Sequence, residues 1–73
     1  MIRRIAANLV ILSEKERYVN HVVELQGSRI VRHYPLTGEQ ARTEWLTGTL
    51  LIEQGQAYHL VRLADGTQHK RPL

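Results

Sequence analysis

At 73 residues the chain is a single domain, 1–73, and a chain this short buries only about 60% of its unfolded surface, so its core is small. It has no cysteine, which removes disulfides and thiolate metal sites together. The net charge is +3, with ten basic residues spread from Arg3 to Arg71; this excludes a basic tail, which needs a run of like charges, and leaves a mildly cationic, solvated surface.

Apolar residues make up 42% of the chain, with three Tyr, one Trp and no Phe, so the core is expected to be aliphatic. The first segment, 3–12, is apolar on both faces, as in a strand covered on both sides. Asn8 interrupts it, and no small-residue cleavage site precedes the charged stretch Ser13-Glu14-Lys15-Glu16-Arg17. It therefore reads as a buried strand and not as a signal peptide. No run approaches the about 18 apolar residues that span a membrane, so a cytoplasmic location without membrane contact is expected. Residues 13–17 read as a loop.

Segment 19–25 alternates, with Val19, His21, Val23 and Leu25 on one side and Asn20, Val22 and Glu24 on the other. Gly27 then supplies the positive φ of a tight hairpin turn. The chain returns over 29–34, and Pro35 ends that strand or confines its tail to an edge. Thr37-Gly38-Glu39-Gln40 has the spacing of a capping box, with room for one helical turn at most. Two short strands are expected at 43–46 and 49–53, on either side of Thr47-Gly48, followed by a turn at Gln54-Gly55-Gln56. Segment 57–63 alternates again. Asp65-Gly66 is the strongest hairpin signal in the chain, 67–71 pairs back, and Pro72 stops it. Six or seven short strands without a repeat or linker give an all-β fold: a small antiparallel β-sandwich or partly open barrel. Trp45, beside Leu46, is assigned to the core, where truncation to alanine would cost about 3–5 kcal/mol.

Candidate chemistry is sparse. His21, His33, His59 and His69 stand 12, 26 and 10 positions apart, without the close spacing of zinc ligands. Most of the seven acids lie in loops or on polar strand faces, Asp65 belongs to its turn, and they form no pair suited to acid–base work. Ser13 and Ser28 lack a nucleophile elbow, and the five glycines are isolated turn residues with no phosphate loop among them. No catalytic residue, cofactor or metal site is assigned, and the chain is not expected to be an enzyme. A candidate binding surface comprises Arg29, Arg32 and Tyr34 on one strand with Tyr58 and Arg62 on another. Small β-barrels hold single-stranded nucleic acid by a basic groove with stacked aromatics. Nucleic acid is nevertheless the disfavoured partner, because only three tyrosines are available and each strand also feeds the core.

Three segments carry a resemblance. Residues 4–12 (RIAANLVIL) open like the first strand of an amidohydrolase. Residues 20–31 (NHVVELQGSRIV) resemble the following hairpin, and 44–52 (EWLTGTLLI) the strand pair that leads into the catalytic barrel. In these metal-dependent hydrolases the region is a small β-sandwich beside the barrel. There a Pro-Gly segment and a metal-binding His-x-His pair follow, whereas this chain continues Glu53-Gln54-Gly55-Gln56-Ala57-Tyr58-His59. The chain looks like the sandwich with the barrel excised, so no catalytic residue carries over. The resemblance implies a non-catalytic accessory module acting in protein assembly or binding. The alternatives are a small basic barrel for single-stranded nucleic acid and a domain supplied in trans to a hydrolase barrel. Homodimerisation is also expected, because the chain has no barrel to lean on and no disulfide or metal staple. Arg3-Arg4 and Pro35 would blunt two sheet edges and leave the uncharged stretch 49–52 to pair with a second copy.

Overall fold

The computed structural model describes residues 1–27, 29–38 and 42–73. The alternating and doubly apolar segments form β1 (Ile2–Ser13), β2 (Glu16–Gln26), β3 (Arg29–Pro35), β4 (Thr43–Glu53), β5 (Gln56–Arg62) and β6 (Gln68–Pro72). They make one sheet in the order β3-β2-β1-β4-β5-β6. Four neighbouring pairs are antiparallel, and β1 and β4 run parallel. The all-β class and the strand number are as expected from the sequence, with a single curled, unclosed sheet supplying both walls of the core.

The curl has a local cause. Ala7 opposes Leu46 and Leu9 opposes Thr49, so β4 fits Thr47 and Gly48 against the single residue Asn8. An extra residue of this kind bends its strand and increases the twist. Gly48 takes φ 108, and its N–H donates to Asn8 Oδ1 at 2.7 Å. On the other side of β1, Asn20 of β2 sits at φ 50. Irregularities in β2 and β4 thus flank β1 at one level. Stacked sheets pack about 10 Å apart, and the smallest extent of this molecule, 24 Å, accommodates two such walls.

The concave side holds the core: Ile5, Ala7 and Val10 of β1, Val23 and Leu25 of β2, Leu50 of β4 and Ala57 of β5. Leu12, Ile30, Leu46 and Ile52 pack against it. The cluster is aliphatic throughout, as the composition requires. Gln54 and Gly55, at φ 51 and 77, form the two-residue β4–β5 turn with the positive-φ pattern of type I′. At the Asp65-Gly66 hairpin, Leu63 N–H donates to the Thr67 carbonyl at 2.8 Å.

Several local expectations are corrected. Residues 43–46 and 49–53 belong to one strand, because the bulge absorbs Thr47-Gly48 into the ladder. The loop 13–17 contracts to Glu14-Lys15, with Ser13 paired to Glu16. Glu39 and Gln40, half of the capping box and the room for a helical turn, lie outside the described residues. The edges are β3 and β6. Arg3-Arg4 and 49–52 therefore lie on inner strands already paired on both sides, and the edge-pairing argument for a dimer lapses. Trp45 is not a core residue: it pairs with Ala6 and is 51% exposed, because its neighbour Leu46 is the residue turned toward the core.

Candidate binding surface

Register places two rows of side chains on the convex face, opposite the core. One runs Thr43–Arg4–Glu24–Arg32 and the next Trp45–Ala6–Val22–Tyr34, across β4, β1, β2 and β3. Ala6 and Val22 are small and closed off from solvent, flanked by the two large rings. A bulge between β2 and β3 leaves Val31 unpaired, with Ile30 opposite Leu25 and Arg32 opposite Glu24. Ile30 consequently reaches the core while Arg32 stays on the convex face.

Glu24 organises this surface. Its side chain is only 9% exposed, and it accepts from Tyr34 Oη at 2.6 Å and from Arg4 Nε at 3.1 Å. Arg32 Nε stands 3.9 Å from its other oxygen, and the Arg32 guanidinium lies 5.1 Å over the Tyr34 ring. The Tyr34 hydrogen bond, with Arg4 and Arg32 behind it, holds the Glu24 carboxyl below the usual carboxylate range against the opposing pull of burial. The same hydrogen bond raises Tyr34 above the usual phenol value. The charge of the buried acid is thus spent inward, and solvent meets two guanidiniums beside a tryptophan and a tyrosine.

The residues singled out from the sequence divide between two regions. Arg32 and Tyr34 join Trp45 and Arg4, and Arg29 follows on the same face, opposite Gln26 at the hairpin end. Tyr58 and Arg62 lie on β5, separated from β3 in the sheet by β2, β1 and β4. There Tyr58 Oη donates to Gln56 at 2.7 Å, and Lys70, paired to Glu53 at 2.6 Å, sits over the Tyr58 ring. Trp45 and Arg4 were missed in the sequence. Thr43, Trp45 and Thr47 share one parity, against Leu46 on the other, and that was the available signal for an outward tryptophan.

Two histidines far apart in sequence do meet. His21 Nε2 lies 2.9 Å from His33 Nδ1, and Tyr18 stacks on His21 with ring centroids 4.4 Å apart. His21 and His33 pair with Ala7 and Val23, which places them at the rim of the concave side. Burial, then the charge of His33, lowers the His21 pKa. Two nitrogens fall short of the three or four protein ligands of a zinc site, and no group of three or more metal-binding side chains converges among the described residues. Among the described residues no helix is long and apolar enough to cross a membrane. Comparison with protein-family models, curated proteins and solved structures finds no match to this chain.

Proposed function

We propose that this chain is a non-catalytic binding module that acts by assembly with a macromolecular partner, presenting the face around Trp45. One observation carries the reading. The only tryptophan of the chain stands half exposed on an inner strand of the sheet, in a row with Tyr34 and beside Arg4 and Arg32. Trp, Tyr and Arg are the residue types that dominate binding hot spots, and the Glu24 network holds two of the three in place before any partner arrives. Such preorganisation lowers the ordering cost of binding.

The electrostatics favour binding over acid–base chemistry. Glu24, Glu44 and Asp65 are all held below the usual carboxylate range, chiefly by hydrogen bonds from Tyr34, Arg3 and Thr67 respectively. A carboxyl that works as a general acid near neutral pH needs the opposite shift. The resemblance to the accessory sandwich of metal-dependent hydrolases points the same way, since that sandwich leans on a barrel; a barrel protein receiving this domain in trans is one such partner. The test is affinity capture from native extract with wild type and Trp45→Ala in parallel. A species retained by wild type and lost with the variant, at unchanged unfolding midpoint, is expected. Equal capture by both would contradict the reading.

Self-association has its own supporting observation, on the other half of the convex face. Val10 and Leu12 point into the core, so Leu9 and Ile11 point outward. They head the rows Val19–Leu9–Thr49–Leu60 and Arg17–Ile11–Leu51–Tyr58. Val19 is 72% exposed. This apolar strip, in place of a sheet edge, is the surface on which a two-fold dimer would form.

A further inference from the structure

We infer that the ligand of the Trp45 face is single-stranded nucleic acid, with bases stacked on Trp45 and on the Arg32–Tyr34 pair and phosphates held by Arg4, Arg29 and Arg32. The inference rests on the binding-module reading and names its ligand. Sequence composition disfavours nucleic acid because three tyrosines are too few; Trp45, standing outside the core, supplies the missing ring.

Geometry and charge agree on the ligand class. Trp45 and Tyr34 close the two ends of one row, three strand spacings or about 14 Å apart. Ala6 and Val22 lie between them, closed off from solvent, so the contacts offered to a ligand are the two rings and the guanidiniums. Stacking on protein rings requires unpaired bases, since duplex bases are already stacked on one another, and ring platforms flanked by cations are the recurrent means of holding a single strand. Arg32 adds a flat cation over Tyr34 on which a base can lie.

The charge distribution is one-sided. Glu24 is the single carboxylate that register places on this part of the face among the described residues, and it is buried and satisfied. The other described acids lie elsewhere. Glu44 is tied to Arg3 and shares the parity of Ile5 on the concave side. Glu53 pairs with Lys70, Glu14 and Glu16 sit at the far end of β1, and Asp65 accepts within its own turn. Side chains of Arg32 and Arg4 are 70% and 43% exposed, and Arg29 has no acidic partner among the described residues. Among the described residues, an anion meets three guanidiniums there and no free carboxylate. Contact with about three phosphates gives a salt slope near −2 for a single strand.

Binding is read by emission of Trp45, the lone tryptophan, and by anisotropy of labelled oligodeoxythymidylate, with heparin and polyglutamate as base-free polyanions. The expected result is quenched emission with the oligonucleotide. Trp45→Ala should weaken binding by on the order of tenfold, Trp45→Phe should recover part of the loss, and Arg32→Gln should lower the salt slope. Equal affinity for heparin or polyglutamate without quenching would overturn base stacking, polyglutamate marking the face as a site for acidic protein segments. If no polyanion binds yet capture from extract is still lost in Trp45→Ala, the ligand assignment falls and the binding-module reading stands. If capture is also unchanged, both fall.

Discussion

Glu24 lies beneath two guanidiniums and a phenol, and its titration reports whether that arrangement holds in solution. A depressed folded pKa means stabilisation that is fully present above the ordinary carboxylate range and is lost as pH falls through the depressed value. Tyr34 is the largest cause of the depression. Tyr34→Phe should therefore move the Glu24 midpoint upward, and acid unfolding should begin at higher pH. Carboxyl carbon titration by NMR measures this directly; an unmoved midpoint would mean the hydrogen bond is absent. His21 carries the opposite sign. Its pKa is lowered by burial and by His33, so the fold favours the neutral ring. That contribution is complete above the ordinary histidine value of about 6.5 and fades as pH falls below it. His21→Gln should flatten the stability profile between neutral pH and the acid limb, measured by denaturant midpoints; an unchanged slope would contradict the buried pair.

At the scale of elements, the strands themselves were legible and their bends were not. Alternation located β2 and β5, and the return from the Gly27 turn located β3, because a hairpin is local and its turn residues, Gly27 and Gln54-Gly55, declare themselves. Thr47-Gly48 reads in sequence as a break between two strands, since glycine both ends strands and makes bulges. Only the pairing with β1, and the bond from Gly48 N–H to Asn8, decides for a bulge. The parallel β1–β4 pairing also decides which way Trp45 points, and it joins segments too far apart in sequence for any local pattern to show it. Gly48 is the position where this geometry is most exposed to test. At φ 108 a side chain is strained even though a Cβ would meet only ordinary contacts. Gly48→Ala should cost about 1–3 kcal/mol in chemical denaturation; a neutral outcome would show that the bulge is not built as described.

The molecule as a whole is a curled sheet with its apolar concave side filled and its convex side divided. One half of that convex side is cationic and aromatic, the other aliphatic around Val19, Leu9, Ile11, Leu51 and Leu60. Neither edge invites pairing. β3 carries Arg29, Arg32 and Pro35, and β6 carries Lys70, Arg71 and Pro72, the charge and proline by which edges are blunted. A dimer should consequently form face to face through the aliphatic strip. Light scattering at micromolar concentration should give twice 8.4 kDa, reverting to the monomer in Val19→Glu. A wild-type monomer mass would remove the dimer and leave the Trp45 face untouched.

The most direct measurement is the emission of Trp45 itself, in the free native protein and on addition of oligodeoxythymidylate. Solvent-like, red-shifted emission that is quenched as the oligonucleotide binds is the result expected of an exposed stacking platform. Blue-shifted emission that the oligonucleotide leaves unchanged would place the ring in the interior and contradict the binding surface proposed for this chain.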